Sequence, residues 1–436
     1  MKSIKVLVLL NEPWNDKITP NNNMTNWFTG MENVEFVTIS GSSILPSNNL
    51  CKDYFLIGEN DIIKSWYSRK KAGRIYKLDK ETVDSAPQEK EISYNNDIKK
   101  KYACDFVRLV RDIIWKFGRI DIDLLKEFLK ETNPDVIFSI RYGRIKMTRL
   151  EGLVQRLANK PLVVYSGDDD YSLGQKSNDP FFWIRRYWQR HNLKKVIPLY
   201  KIFYSQSVKQ MEEIEHDFHT KTKFLAKCGD FDENKIHKTV NNPIELVYGG
   251  KLYQGRYKTL GQIANSIKKI NEEANSTLMR LNIYTRDLIT EEQNILLNDG
   301  ANSIIHGPVT ASQMKDILSK ADVNLHVESF DEKPRLATKF SFSTKIMDCM
   351  ESGCAIMAVC WDKQAGYEYL KEHDAAICAS NEEEIYNKLY EISKNPNIIL
   401  LYAQKAYECG IKNHSRSDIQ KQIYDDLLKV IEEYKN

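Results

Sequence analysis

The sequence of 436 residues predicts an α/β protein with two doubly wound parallel sheets. Short apolar runs rich in β-branched and aromatic residues, such as IKVLVLL at 4–10 and PDVIFSI at 134–140, are typical of strands that are buried on both faces. Segments with helical periodicity, including 103–118 and 122–133, lie between such runs. This alternation predicts parallel strands joined by helical crossovers.

A second series of apolar runs begins after the polar stretch at 228–243. Its predicted strands are 244–250, 280–286, 302–308, 321–327, 354–360 and 375–380. Because a single hydrophobic core rarely grows beyond about 250–300 residues, we expect two domains, at 1–235 and 236–412. The amphipathic segment 413–436 is predicted to form a C-terminal helix that packs back on the first domain.

Charge, cysteine usage and hydropathy exclude several classes of protein. The 63 basic and 60 acidic residues are too nearly balanced to indicate nucleic-acid binding. The eight cysteines lack C-x-x-C spacing, which favours free thiols in a reducing compartment. No apolar stretch approaches the roughly 20 residues of a membrane span, and the first run lacks a signal-peptide cleavage site. A cytoplasmic protein is therefore expected.

Two polar loops follow predicted strands in the second domain, where ligands of doubly wound sheets bind. In the first, at 249–258, Gly249 and Gly250 permit close backbone approach just before a helix. Its basic residues are Lys251, Arg256 and Lys258. This combination suits phosphate binding, although the loop is neither a P-loop nor a G-x-G-x-x-G loop. A glycine turn with solvated lysines is the alternative interpretation.

The second loop lies in KFSFSTKIMDCMESGCAIMAV, residues 339–359. Ser343 and Thr344 are N-cap residue types, so the backbone donors there and the ammonium of Lys345 would face an anion. Asp348, one turn further along, would accept hydrogen bonds from two ribose hydroxyls. An exposed i,i+3 pair between Lys345 and Asp348 is the alternative.

These segments resemble the donor-binding domain of a GT-B glycosyltransferase, close to family four of the retaining enzymes. Four blocks match that family in order and spacing: ELVYGGKLYQGRYKTLGQI, NIYTRD, IIHGPVTASQMKDILSKADVNLHVESF and STKIMDCMESGCAIMAV. They cover about residues 244–360. The resemblance implies two Rossmann-like domains facing a cleft. It also implies hexosyl transfer from a nucleotide sugar, with retention, without a metal, and without a cofactor other than that substrate.

The resemblance also implies roles for individual residues. The donor-binding set is Gly249, Gly250, Arg286, Gly307, Ser343, Thr344, Lys345 and Asp348, and the catalytic set is Lys251, Arg256, Lys258 and Asp168. In these sets, Lys251 with Arg256 or Lys258 would hold the donor diphosphate. Gly307 and its neighbours would pack on the nucleobase, and Asp348 would bind the ribose.

Two departures from the family pattern bear on the donor sugar. The family's first acid, eight residues before the position of Asp348, falls on Phe340. The usual contact with the sugar hydroxyls would then be missing, or supplied by Glu328 or Asp331. Lys251 replaces an arginine, which keeps the charge but loses the bidentate guanidinium.

The first domain offers two candidate loops. In NEPWNDKITPNNN at 11–23, Asn11, Glu12 and Trp14 suit recognition of a polar acceptor, and a long surface loop is the alternative. In GDDDYSLG, the acids are Asp168, Asp169 and Asp170. They would bind an acceptor or donor sugar, or hold Mg²⁺ or Mn²⁺ in a GT-A enzyme, which is a different fold. Three solvated acids are the third interpretation.

FFWIRRYWQRHNLKK at 181–195 predicts a basic amphipathic helix. Phe181, Ile184, Tyr187, Trp188 and His191 share one side, and Arg185, Arg186, Gln189 and Arg190 share the other. Together with 64–77, such a helix would contact a membrane peripherally, where lipid-linked acceptors lie. Packing of the apolar side on the domain's own sheet is the alternative.

The predicted function is thus transfer to a glycan or lipid-linked acceptor, with no nucleic acid as partner. Assembly of a bacterial surface polysaccharide is the family's commonest role, which places the protein in the cytoplasm or on the inner face of the membrane. An epimerase-type GT-B protein and a non-catalytic protein that binds nucleotide sugars are the alternatives within the same fold.

Overall fold

A computed structural model describes residues 2–14, 22–78, 104–141, 144–236 and 239–435. The chain divides into two compact units, which are 1–225 with 419–436, and 226–418. The sequence placed these boundaries at 235/236 and 412/413. The segment after Leu225 belongs to the second unit because Gly229 forms a bridge with Ser415 and the Arg416 guanidinium donates to Asp230.

The described part of the first unit holds an eight-stranded sheet. Its strands are β1 Ile4–Leu10, β2 Val34–Ser40, β3 Cys51–Leu56, β4 Arg74–Lys77, β5 Val136–Ile140, β6 Leu162–Ser166, β7 Tyr200–Ser205 and β8 Thr222–Phe224. The order is β4-β3-β2-β1-β5-β6-β7-β8, and every pair is parallel except β3 with β4. The order reverses direction between β1 and β5, so the crevice for a ligand of this sheet lies beyond these two strands.

The helices of this unit are α1 Asn22–Phe28, α2 Glu59–Tyr67, α3 Asp105–Phe117, α4 Ile122–Thr132, α5 Ile145–Ala158, α6 Pro180–Val196 and α7 Val208–Phe218. Several begin at the side-chain caps that the sequence offers: Asp121 accepts from the Leu124 N–H, and Ser207 from the Gln210 N–H. Asn133 and Asn159 end α4 and α5 in the left-handed conformation.

The second unit contains a six-stranded parallel sheet in its described residues. Its strands are β9 Ile244–Gly249, β10 Met279–Tyr284, β11 Ser303–His306, β12 Val323–Val327, β13 Ala355–Val359 and β14 Ile377–Ala379, in the order β11-β10-β9-β12-β13-β14. The helices are α8 Arg256–Ala274, α9 Glu291–Leu297, α10 Ala311–Lys320, α11 Glu332–Ala337, α12 Lys345–Glu351, α13 Ala365–Glu372, α14 Glu382–Lys394 and α15 Asn397–His414. The switch point lies between β9 and β12.

The two predicted series of parallel strands are confirmed, and each series forms its own sheet. The last helix, α16 Arg416–Lys435, reaches the first unit through its residues after 418. There the Tyr204 hydroxyl donates to Asp426 at 2.6 Å, and the Tyr424 hydroxyl donates to the Lys2 carbonyl at 2.6 Å. Among the described residues, no helix combines the length and the apolar character needed to span a bilayer.

Candidate functional site

The ammonium of Lys345 lies against the backbone at the carboxyl end of β9. A Cβ built on Gly250 would lie only 1.9 Å from Lys345 Nζ, so the ammonium occupies space that glycine alone leaves open. Nζ also lies 5.2 Å from the centre of the Tyr248 ring. Within the described ranges, no carboxylate forms an ion pair with this ammonium. Lys345 is therefore a largely buried cation that contacts no counter-ion in the part of the chain that the structure describes.

Burial lowers the pKa of Lys345 to about 8, and the nearby positive charge of Arg256 acts in the same direction. Glu328 has the opposite effect but does not compensate for the desolvation. An anion that contacts this ammonium would stabilise its charged form, because the anion replaces the hydration that the ammonium loses on burial. The site at Gly250 is thus suited to bind a phosphate or diphosphate.

Arg256, at the first position of α8, forms a buried bidentate pair with Glu328, which follows β12. Its Nε donates to one carboxylate oxygen at 2.9 Å and its Nη2 to the other at 2.8 Å. The guanidinium also lies 5.1 Å from the centre of the Tyr253 ring. Gly255 permits this arrangement because its φ is +79° and a Cβ there would lie 2.5 Å from Ser329 Oγ. Glu328 thus positions Arg256 at the strand ends.

The Arg256–Glu328 pair gives the first testable prediction. Arg256→Met or Glu328→Leu alone should lower the free energy of unfolding by about 3–5 kcal/mol, because each leaves a buried charge without its partner. The double variant should lose much less, so a double-mutant cycle by chemical denaturation should show strong coupling. Single variants that each cost under about 1 kcal/mol would contradict the pair's structural role.

The other cations of the predicted site are more exposed. Lys251 is exposed, and its Nζ lies 5.5 Å from the centre of the Tyr253 ring. Lys258 pairs with Asp331 at 2.8 Å, with both side chains about half exposed, so this pair contributes little stability. Arg286 donates to the Val309 carbonyl at 3.0 Å. Because β9, β10 and β12 are neighbours in the sheet, the loops that carry these residues lie side by side at the carboxyl ends of the strands.

The predicted glycines at these strand ends differ in their surroundings. A Cβ on Gly249 would lie 2.7 Å from the Sδ atom of Met314 in α10. A larger residue at position 249 would therefore push against this side chain. Gly307 has open space around it, as a surface that receives a ligand requires. Just before it, the rings of Tyr284 and His306 stack with centres 4.4 Å apart.

The residues that precede and begin α12 differ from expectation in two ways. Thr344 has helical backbone angles and forms no side-chain cap, while Ser343 Oγ accepts only a long 3.4 Å hydrogen bond from the Lys345 N–H. Asp348 forms an ion pair with Lys227, which contradicts the alternative of an exposed i,i+3 pair between Lys345 and Asp348. A ribose hydroxyl would have to share Asp348 with Lys227.

Phe340, at the position of the family's first acid, is buried with only 3% of its surface exposed. The ammonium of Lys339 lies 4.7 Å from the centre of its ring. Both carboxylates considered as substitutes are already paired, Glu328 with Arg256 and Asp331 with Lys258. A sugar contact by either carboxylate therefore competes with an existing ion pair.

In the first unit, Asp170 belongs to a buried polar network. Arg141 donates to its Oδ2 from Nε at 3.2 Å and from Nη2 at 2.8 Å. Glu151, which is fully buried, accepts from the Tyr200 hydroxyl at 2.6 Å, and its Oε2 lies 4.0 Å from Arg141. The prediction that Asp170 faces an acceptor is wrong, because Arg141 engages its carboxylate in the interior.

Asp169 is also engaged within the protein. It accepts from the Ser172 N–H at 2.9 Å and from Gln175 at 2.7 Å, and Arg186 lies 3.4 Å away. Asp168 is accessible to solvent, but desolvation and the negative charges of Asp170 and Asp169 raise the pKa of its carboxyl group. This carboxyl group accepts no hydrogen bond from the residues that the structure describes. The three acids therefore have different partners. No cluster of three or more metal-ligating side chains occurs in the described ranges.

The loop after β1 is more deeply buried than a recognition loop requires. Trp14 is fully buried, donates to Thr25 Oγ1 at 2.9 Å and packs edge to face on Phe36. Its predicted acceptor role is therefore wrong. Glu12 is half-buried. Asn11 is buried, and its backbone carbonyl accepts a hydrogen bond from Lys146 at 3.2 Å. Residues 15–21 of the predicted loop lie outside the described residues.

Sequence reasoning missed two buried cations, Arg141 and Lys146. Lys146 donates to the Gly41 carbonyl at 2.7 Å and lies 4.7 Å from the centre of the Trp115 ring. Burial lowers its pKa well below the usual value. The available signal was the run RYGRIK directly after β5, at the switch point of the sheet.

The fold is also found in known structures. No protein-family model and no curated protein matches the sequence. HepE of Anabaena in complex with UDP has a TM-score of 0.61 and 11% identity, over 98% of this chain and 100% of that chain. Sucrose-phosphate synthase of Thermosynechococcus elongatus has a TM-score of 0.60 and 11% identity, over 98% and 99%. Both are GT-B transferases.

The chain has the GT-B fold. The pneumococcal O-GlcNAc transferase GtfA, solved with UDP and GlcNAc, is similar over 72% of this chain at 16% identity, with a TM-score of 0.51. The chain spans 61% of the length of that structure. The GT-B fold overturns the alternative of a GT-A enzyme that uses Asp168, Asp169 and Asp170 to hold a metal.

Proposed function

We propose that this GT-B chain is a glycosyltransferase with a nucleotide sugar as donor. The observation that carries the proposal is the ammonium of Lys345, which is largely buried at the carboxyl end of β9 and has no counter-ion in contact among the described residues. Lys251 and Arg256 lie on the loop and helix that follow the same strand. A diphosphate supplies the negative charge that this arrangement lacks.

The proposed nucleotide is UDP. HepE and GtfA, which share the fold, were solved in complex with UDP. At 11% and 16% identity these structures establish the fold alone, so the nucleotide preference of this chain is part of the proposal. Gly307 and the stacked Tyr284 and His306 are the proposed surface for the base.

In the proposed reaction, the bond between the anomeric carbon and the diphosphate oxygen breaks, and UDP leaves with the bonding electrons. The acceptor hydroxyl forms the new bond to the anomeric carbon and transfers its proton to the departing diphosphate oxygen, with retention of configuration. Lys345 and Lys251 would stabilise the charge that develops on the diphosphate. Asp168, as an exposed carboxylate that accepts no hydrogen bond within the described residues, remains the candidate in the first unit for binding a sugar hydroxyl.

The remaining features of the proposed function are a hexosyl donor, a glycan or lipid-linked acceptor, and no cofactor besides the nucleotide sugar. We place the reaction in the cytoplasm or on the inner face of the membrane, in the assembly of a bacterial surface polysaccharide. These features rest on the family resemblance of residues 244–360.

The test is a thermal-shift and calorimetric titration with UDP, ADP and GDP in the presence of EDTA. UDP at 100 times its Kd should stabilise the protein by about 2.7 kcal/mol. Gly250→Ala should weaken binding at least tenfold, because the new methyl group displaces the Lys345 ammonium. Gly174→Ala is the matched control, since a Cβ there meets nothing within 4 Å.

Product analysis then separates the remaining alternatives. An epimerase would convert UDP-sugars without an acceptor, and a non-catalytic protein would bind them without turnover. Failure of all three nucleotides to bind, or binding only after Mn²⁺ replaces EDTA, would contradict the proposed site.

A further inference from the structure

Over residues 181–189, helix α6 turns polar side chains inward and apolar side chains outward, whereas Leu193 and Val196 near its end pack in the core. Arg186 and Gln189 are buried, whereas Ile184 and Tyr187 are 51% and 58% exposed. Arg186 donates to the Asp169 carbonyl at 2.9 Å, and neighbouring Arg185 is also engaged by acids of α3. The expected alternative, with the apolar side packed on the sheet, is therefore wrong. The polar contacts of α6 direct its apolar residues outward.

Helix α3 extends this apolar surface. Phe106, Val110, Ile113 and Phe117 recur at spacings of three or four residues, so they share one helical face, and all of them are exposed. A helix face of this kind is normally packed in a core. Here it lies on the outside of the described part of the first unit.

Aromatic contacts join the exposed residues of three helices into one surface. Phe106 of α3 lies 5.1 Å from Phe181 of α6, and Phe117 of α3 lies 6.5 Å from Trp66 of α2, measured between ring centres. We call this the three-helix surface and define it by Trp66, Phe106, Val110, Phe117, Ile184 and Tyr187. Exposed apolar surfaces formed by several neighbouring large side chains mark binding sites for proteins or membranes.

The charges around this surface decide which partner it fits. Lys64 and Lys70, at and after α2, and Lys194 and Lys195, at the end of α6, are exposed and form no ion pair within the described residues. Three acids of these helices are neutralised, Asp105 and Asp112 by Arg185 and Glu59 by Arg111, which leaves Asp61 and the N-cap residue Asp179 against the four lysines. The edge of the three-helix surface is therefore positive.

We propose that the three-helix surface attaches the protein to a bilayer that contains anionic lipids. Apolar side chains would enter the interface, and Trp66 and Tyr187 are of the amphipathic type that lies at headgroup level. Each basic residue at the edge would strengthen attachment about fivefold. This inference concerns the first unit and does not depend on the donor site.

The test is co-sedimentation of the full chain with vesicles of phosphatidylcholine, with and without phosphatidylglycerol. Binding should require phosphatidylglycerol and weaken as salt increases. Phe117→Glu and Ile184→Glu should each reduce the partition coefficient at least tenfold. Leu288→Glu is the matched control, because Leu288 is 92% exposed in the second unit, and should bind as the wild type does.

Nucleotide titration of the same variants keeps the two proposals distinct, since neither substitution changes the residues around Lys345. Vesicle binding that is absent in the wild type, or equal in all variants, would overturn the inference. A dimer in light scattering that both variants disrupt, without vesicle binding, would show that a second copy covers this surface instead.

Discussion

Replacement of Lys345 by Met is expected to weaken UDP binding at least a hundredfold and to stabilise the ligand-free protein. Its pKa falls from 10.5 to about 8 on folding, which corresponds to about 3 kcal/mol of unfavourable burial of the charged form. Met keeps most of the side-chain volume and removes the charge. At pH 7 we therefore expect a gain of about 1–3 kcal/mol in the free energy of unfolding, and at least a hundredfold loss of UDP affinity.

The pH dependence follows from the direction of this shift. Because the folded-state pKa is lowered, the cost is fully present below pH 8 and disappears as the pH rises towards 10.5. The stability difference between Lys345→Met and the wild type should thus shrink over this interval. UDP affinity of the wild type should fall above pH 8, since only the ammonium attracts the diphosphate. Denaturation and calorimetry at several pH values measure both effects.

Lys251→Met is the matched control for Lys345→Met. Lys251 is exposed, so its loss should leave the stability of the free protein unchanged. A Lys345→Met protein that is less stable than the wild type, or that still binds UDP with similar affinity, would show that the ammonium has another role.

Replacement of Arg141 by Met is expected to destabilise the first unit by about 3–5 kcal/mol. The guanidinium, which is 2% exposed, neutralises Asp170 and lies 4.0 Å from Glu151. Without it, two carboxylates remain in the interior with only neutral donors such as Tyr200. Met fills similar space, so the loss measures the charges rather than a cavity.

Chemical denaturation followed by the fluorescence of the native tryptophans would measure this loss. Arg108→Met is the control, because its pair with Asp105 is partly exposed and long at 3.4 Å, and should cost under about 0.5 kcal/mol. An Arg141→Met variant as stable as this control would mean that Asp170 and Glu151 become neutral at little cost.

The alternation of strands and helices could be predicted from local patterns because a strand buried on both faces must be apolar throughout. The runs at 4–10 and 134–140 meet this condition, and they form β1 and β5. The strand Cys51–Leu56 was missed because Lys52 and Asp53 interrupt its apolar pattern near the edge of the sheet.

At the candidate site, local sequence predicted Gly250 and Lys345, since glycine and lysine after strands in one domain suggest an anion site. It did not predict the partners of Arg256 and Asp348. Glu328 and Lys227 are 72 and 121 residues away from them in the chain. Such pairings depend on which strand ends are neighbours in the sheet.

The sequence by itself determined the two parallel-sheet units, because hydrophobic periodicity records burial residue by residue. Only the tertiary structure decided which charged groups are satisfied. The three consecutive aspartates lie in different environments: Asp170 pairs with Arg141, Asp169 lies near Arg186, and Asp168 is accessible to solvent. Helix α6 turned its apolar side outward, because the orientation of an amphipathic helix depends on the polar partners that its neighbours present, and periodicity does not encode those partners.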